Sequence, residues 1–282
     1  MHLGNWQLDD VNGGTFLTDG GVMFGVVPRT LWSNIATPDE LNRVPCASRC
    51  LLARNGRQTV LVDTGYGGKY APLDRKFWAM EPGEPLVEDL ARLGVTPEDV
   101  DVVVFSHLHF DHAGGSTRYD HQRRLVTTFP RARHFVGRIE WEDATGQSAE
   151  LQTAYCSDNF HPLEASGRLV LVDDNAEILP GLRACLTGGH TRGHLALRFE
   201  SDGQAALFIS DFCPTTAHVR RMWHTAYDTF PVETRRRKPE ILGEAADRNW
   251  WVLWYHDPRV AASRLRRDPR REFLVVDPQS KL

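Results

Sequence analysis

Residues 106–115 read Ser-His-Leu-His-Phe-Asp-His-Ala-Gly-Gly, which sets His107, His109, Asp111 and His112 within six positions. Two histidines at i and i+2 can aim at one ion from a tight loop. The Asp and His directly behind them can aim at a second ion nearby. Imidazole and carboxylate suit zinc, iron, manganese or cobalt, and the lack of thiolate argues against a structural cysteine-type site. Three further segments offer donors. Thr187-Gly188-Gly189-His190-Thr191-Arg192-Gly193-His194 carries two histidines in a glycine-rich turn. Phe208-Ile209-Ser210-Asp211 ends an apolar run in a carboxylate, and Trp254-Tyr255-His256-Asp257-Pro258 ends another in a histidine. Two divalent ions held this way would lower the pKa of bound water from about 15.7 toward ~7 and polarise a carbonyl or phosphoryl oxygen, the chemistry of hydrolysis.

Such ligands need rigid elements to bring them together. Val102-Val103-Val104-Phe105, just before the first cluster, is a continuous apolar run that predicts a buried strand. Cys50–Arg54 and Thr59–Val62 flank Asn55-Gly56 and predict a hairpin, and Asp202-Gly203 predicts another between Leu195–Phe199 and Ala205–Ile209. Further strands are expected at Leu169–Val172, Leu182–Leu186, Trp250–Tyr255 and Phe273–Val275. Helix starts are expected at Thr37-Pro38-Asp39-Glu40 and Thr96-Pro97-Glu98-Asp99, where a threonine cap precedes proline and acids. Leu86, Val87, Leu90 and Leu93 share a helical face, and a short helix over Ile241–Ala246 would start at Pro239. Residues 13–45, 64–85, 139–165 and 212–238 read as irregular stretches able to lie over a site. The alternation suggests a layered α/β sandwich in a single domain spanning 1–282.

Composition bounds the rest. The chain has 282 residues, 41% hydrophobic and 25% charged, enough to bury a core without disulfides or a structural metal. The net charge of -4 excludes a globally basic nucleic-acid binder. No apolar run is long enough for a transmembrane helix. The first residues lack a signal-peptide pattern, and five cysteines without a Cys-x-x-Cys pair fit a reducing, cytoplasmic location. A homodimer is left open.

The chain resembles the metallo-β-lactamase-fold hydrolases, with five motifs in order: Leu61-Val62-Asp63-Thr64-Gly65, the His-x-His-x-Asp-His segment, the Gly-His turn, Asp211 and His256. That resemblance implies a four-layer αββα sandwich and a dinuclear site. His107, His109 and His190 would bind one ion; Asp111, His112 and His256 would bind the other; Asp211 would bridge. Asp63 would anchor a ligand without being one, and His194 would be a hydrogen-bonding neighbour. Arg192 stands where the third motif usually has proline, which frees the turn and leaves the direction of this side chain open.

The resemblance points to the lactonase and esterase branch. Asp211 stands where metallo-β-lactamases often have cysteine, and His109 where flavodiiron proteins have glutamate. The 26 residues after His256 are too few for the C-terminal domain of glyoxalase II-type thioesterases, and no nuclease-type insertion is visible. A metal-bridging hydroxide would open a lactone or carboxylic ester, with an acyl-homoserine lactone-like small molecule favoured. Asp111 would orient it or pass a proton to the leaving group, and Tyr227 would offer its hydroxyl to the carbonyl or leaving oxygen. Zinc is the default metal, with iron, manganese or cobalt as alternatives. Phe24, Trp32, Phe77, Trp78, Trp223 and Tyr227 are candidates for an apolar pocket. His218 and His224 are read as packing or surface residues, and His2, His121, His134 and His161 as structural or exposed ones. Cys213 is read as a buried, inert thiol. The rival is a phosphodiesterase, phosphotriesterase or nuclease, drawing on Arg235-Arg236-Arg237-Lys238 and on Arg264, Arg266, Arg267, Arg270 and Arg271 as anion contacts; these runs read first as solvated surface.

Overall fold

The computed structural model describes residues 1–146, 149–152 and 155–282. Its strands form two seven-stranded sheets, in each of which the strands lie side by side in chain order, and a small antiparallel pair, Thr117–Tyr119 with Leu125–Thr127. The first sheet runs through His2–Leu3, Trp6–Asp19, Arg43–Arg54, Thr59–Val62, Val102–Val104, Arg133–Gly137 and Leu169–Val172. Pairing is antiparallel up to Thr59–Val62 and parallel beyond it. The second runs through Glu177–Leu179, Leu182–Leu186, Leu195–Ser201, Gln204–Phe208, Trp251–Leu253, Ala262–Asp268 and Glu272–Gln279. Here Gln204–Phe208 and Trp251–Leu253 are the parallel pair.

Leu8, Leu52, Leu61, Val103 and Phe135 of the first sheet share one buried cluster with Leu182, Leu197, Phe199 and Phe208 of the second. Burial of these side chains stabilises the sandwich at about 1.5–3 kcal/mol each. Helices cover the outside. Pro85–Arg92 buries Leu86 and Leu90 against the first sheet, and Pro231–Asp247 buries Leu242 and Ala245 against Leu207, Val252 and Leu265 of the second. The layer order is helix, sheet, sheet, helix, the fold that the resemblance implies. Among the described residues, no helix is long and apolar enough to cross a membrane.

Local signals and tertiary outcome agree best where the pattern is short-range. Ser201 pairs with Gln204 across Asp202 and Gly203, both at positive φ (51° and 75°), as a two-residue hairpin requires. At the other hairpin only Gly56 takes positive φ. The Asn55 side chain instead accepts from the amides of Arg57 and Gln58, stretching the turn over 55–58. Thr37-Pro38 starts no helix, because the Asp39 carboxylate captures the amides of Leu41 and Arg43 in a turn. Thr96 caps only the 3₁₀ turn Pro97–Asp99 before the chain extends toward Val102. Pro239 does not begin a helix but lies inside the 17-residue Pro231–Asp247, which tolerates the lost backbone bond because one face is buried.

The stretches read as irregular are more ordered than expected. Trp6–Asp19 forms a long strand with a register shift between Asn12 and Thr15. Helices Pro72–Phe77, Arg138–Thr145 and His161–Ala165 occupy parts of the other stretches, while 147–148 and 153–154 lie outside the described residues.

Gly65, just past the strand Thr59–Val62, adopts φ 63°, and a Cβ there would stand 2.2 Å from the Gly13 carbonyl oxygen. Gly65→Ala is therefore expected to destabilise the protein by about 3 kcal/mol, combining left-handed strain with overpacking against backbone. Urea unfolding checks this; a loss below ~1 kcal/mol would show that the Gly65 turn and the strand irregularity at Gly13 separate easily.

Candidate metal centre

The donor residues collect where strands of both sheets end. Val102–Val104 delivers Ser106 and His107, and the turn of helix Phe110–Ala113 carries Asp111 and His112. The loop between Leu182–Leu186 and Leu195–Ser201 carries His190, the 3₁₀ turn after Gln204–Phe208 carries Asp211, and the segment after Trp251–Leu253 carries His256. This junction of strand ends is where α/β folds commonly place ligands.

Three groups of donor atoms meet, each within 4.8 Å: His107, His109 and His190; His107, His112 and Asp211; and Asp111, His112 and His256. His109 Nδ1 lies 3.0 Å from His107 Nε2 and 3.0 Å from His190 Nε2. Asp211 spans the groups. Its Oδ2 is 3.4 Å from His190 Nε2, while its Oδ1 is 3.2 Å from His112 Nε2 and 3.0 Å from His256 Nε2. Asp111 Oδ2 is 3.4 Å from His256 Nε2 and 3.9 Å from His112 Nε2. All seven residues are buried.

The surroundings leave one nitrogen of each backed ring for the centre. The Nδ1–H of His112 donates to Asp63 Oδ2 (2.9 Å), that of His190 to Asp228 Oδ1 (3.0 Å) and that of His256 to the Ala47 carbonyl (2.7 Å). His107 Nδ1 meets Ser106 Oγ at 3.0 Å. Burial, reinforced by neighbouring imidazoles, pushes His107 and His109 well below the ordinary imidazole value, so both are neutral donors. Burial opposes charge on Asp211, but His256, His112 and His190 outweigh it and hold the carboxyl well below its usual range. His112 Nε2, His256 Nε2 and Asp211 Oδ1 are buried without a hydrogen-bond partner, although they face one another. Buried polar atoms left unpaired cost about 1–3 kcal/mol each; all-nitrogen-and-oxygen donors in this state fit divalent cations.

Asp63 stands behind the centre. Its carboxylate accepts from the Ser106 amide and hydroxyl, both at 2.7 Å, besides His112. His194 turns its Nδ1 to Thr187 Oγ1 at 2.6 Å and belongs to none of the three donor groups. Arg192 points away from the centre and pairs its guanidinium with the buried Asp143, Nε to Oδ2 at 3.0 Å. Two carboxylates not singled out from the sequence complete the frame: Asp228 behind His190, and Glu140. The latter accepts from the Leu108 amide (2.9 Å) and the Thr191 hydroxyl (2.6 Å), joining the two histidine loops. Neither belongs to a motif; only the fold brings them there.

A cavity of about 150 Å³ opens onto His109, Asp111 and Asp211, walled by Phe16, Thr18, Val22, Trp78, Phe110 and Tyr227. Of the six aromatic candidates, Trp78 and Tyr227 line it. Phe24 lines a neighbouring cavity, and Phe77 an outer groove that shares Trp78. Trp32 stacks on Phe24, and Trp223 packs edge-on against the same ring. Phe16 and Phe110 take the expected places of these core residues. Tyr227 sets its ring edge-on to His190 at 5.5 Å, with its hydroxyl toward Met23 Sδ.

His218 stacks flat on Phe24 and bonds to the Met23 carbonyl, and His224 bonds to the Thr225 carbonyl and Arg235, both packing roles. His134 is buried, whereas His2, His121 and His161 are exposed. Burial pushes the Cys213 thiol up to about 12, which makes it inert at neutral pH. The first arginine run is not simply solvated surface: Arg235 bonds to His224, Arg237 to the Thr187 carbonyl, and the buried Lys238 to the carbonyls of His218 and Trp223. In the second, Arg267 pairs with Asp247 and Arg264 lies over Trp251.

The family model described as the metallo-beta-lactamase superfamily matches residues 43–257. An N-acyl homoserine lactonase of Bacillus cereus is 24% identical over 195 residues, covering 66% of this chain and 70% of that protein. The crystal structure of a probable metal-dependent hydrolase from Staphylococcus aureus superposes with a TM-score of 0.90 at 30% identity, covering all of both chains. AidC, a dizinc quorum-quenching lactonase solved with a product, superposes with a TM-score of 0.80 at 20% identity, covering 99% of this chain and 96% of that one.

Proposed function

The chain belongs to the metallo-beta-lactamase superfamily and is a metal-dependent hydrolase; from that premise we propose that it opens a lactone or carboxylic ester at a dinuclear centre, with an acyl-homoserine lactone-like substrate favoured. In this reading His107, His109 and His190 hold one ion, Asp111, His112 and His256 hold the second, and Asp211 serves both. Zinc is the default pair. A cytoplasmic location and a single 1–282 domain belong to the same proposal. The observation that carries it is the carboxylate of Asp211, whose two oxygens face the two donor groups at the floor of an apolar cavity.

Two divalent ions, when bound, supply Lewis acidity and a nucleophile derived from water at neutral pH. The chain's own residues do the rest. Asp111 has one oxygen toward His256 and His112, and its other oxygen can orient a water or carry a proton to the leaving alkoxide. Burial, with the Asp211 carboxylate nearby, pushes the Tyr227 phenol well above its ordinary value. It stays a proton donor and can stabilise charge on the carbonyl or leaving oxygen. Phe16, Trp78 and Phe110 exclude water and take an apolar portion of the substrate.

No lysine or arginine is among the described residues that line this cavity, which weighs against a phosphate ester. The test is a rate comparison on metal-reconstituted protein, an acyl-homoserine lactone against a nitrophenyl phosphodiester, with His109→Ala as the blank. Lactone opening well above the phosphodiester rate is the expected result. The reverse order would overturn the proposal and make the phosphoesterase reading the working one.

A further inference from the structure

We infer that Asp228 is a positioning residue that couples metal affinity at His190 to the placement of Tyr227. The inference rests on the reading of His190 as a ligand. The Asp228 side chain is almost wholly buried, accepting from His190 Nδ1 at 3.0 Å, from Thr225 Oγ1 at 2.7 Å and from Thr234 Oγ1 at 2.9 Å. One carboxylate thus joins the ligand loop, the cavity-wall segment and the first turns of helix Pro231–Asp247. The backbone repeats the connection: the Thr229 amide donates to the His190 carbonyl and the Phe230 amide to the Gly189 carbonyl, both at 2.8 Å. Tyr227 is the residue next to Asp228, and its ring rests on the His190 ring.

Three consequences follow from charge and geometry. An anionic acceptor at Nδ1 holds the proton there, so Nε2 keeps its lone pair directed at His107 and His109. The same negative charge makes the imidazole a stronger donor, an effect whose loss typically weakens metal binding about 10–100-fold. Because the 225–230 segment is hydrogen-bonded to His190 at two points and to Gly189 at a third, fixing the ring also fixes the wall that carries Tyr227.

The test uses the full chain with Zn(II) as the probe, its affinity measured by chelator competition, and hydrogen exchange at the Thr229 and Phe230 amides. Asp228→Ala is expected to bind the ion assigned to His107, His109 and His190 about 100-fold less tightly. Asp228→Asn, which retains shape and an acceptor oxygen, is expected to lose about 10-fold. Metal loading should slow exchange of both amides in the wild-type protein and lose that effect in Asp228→Ala. Thermal melts of the metal-free variants separate this from a general loss of fold, and Asp228→Asn serves if Asp228→Ala does not fold. His190→Ala is the control. If it loses an ion while both Asp228 variants bind as wild type, the inference is overturned. If His190→Ala itself binds two ions at wild-type affinity, the ligand reading beneath it fails instead. Metal-independent exchange in the wild-type protein would overturn the coupling to Tyr227.

Discussion

Asp211→Ala is expected to remove both ions and reduce hydrolysis by on the order of 1,000-fold, the scale of losing a main electrostatic contributor in an active site. The expectation follows from geometry. One oxygen faces His190 and the other faces His112 and His256, so no remaining residue can replace either contact. Three imidazoles would still converge at His107, His109 and His190, but the second group would retain one carboxylate, Asp111, and two histidines. Elemental analysis after gel filtration reads the metal content, and initial rates read activity. The fold should persist, because the inter-sheet cluster of Leu, Val and Phe side chains makes no use of the centre. Two ions retained at full occupancy would refute the bridging role.

Asp63→Ala should act on stability as much as on catalysis. Asp63 is completely buried, and its carboxylate accepts from the Ser106 amide, the Ser106 hydroxyl and His112 Nδ1. Removing it leaves these donors facing a cavity with no water-facing route, and leaving a buried partner uncompensated costs about 3–5 kcal/mol. The residue also holds φ 56°, where alanine is strained while aspartate is comparatively tolerated. Chemical denaturation of the metal-free protein measures the stability loss apart from any effect of metal. A cost under ~1 kcal/mol would mean that the loop carrying Ser106 and His112 is held by other contacts. A normal stability with weakened metal binding would confine Asp63 to orienting His112.

The two predictions share a cause. This centre concentrates buried charge and hydrogen-bond donors in a few loops, and each carboxylate satisfies donors from several of them. Asp63 serves residues 106 and 112, Glu140 serves 108 and 191, and Asp228 serves 190, 225 and 234. In a low-dielectric interior, such a group is costly when unpaired and specifying when fully paired. The loops are therefore held in relation to one another by side chains that themselves touch no ion in the proposed scheme.

What the sequence determined by itself was local. His107, His109, Asp111 and His112 lie so close along the chain that the strand before them and the turn after them bring them together with little help. The valine run at 102–104 reads as a buried strand and Asp202-Gly203 as a tight turn, and both form as read. Five motifs in order carried the family resemblance and, through it, the layer order of the fold. Tertiary structure decided what depends on partners distant in sequence. The strand Trp6–Asp19, interrupted by Gly13-Gly14, exists because Arg43–Arg54 pairs along it. Helix Pro231–Asp247 runs through Pro239 because its buried face offsets one missing bond. The cavity wall fell to Phe16 and Phe110 rather than to Trp32 and Trp223, since all four are large and apolar and only their place in the sheets distinguishes core from pocket. Asp228 lies 38 residues after His190, and Glu140 lies 51 before Thr191. Nothing in local spacing marks either, because a hydrogen bond across such a distance is specified only when both sheets and their covering helices have closed.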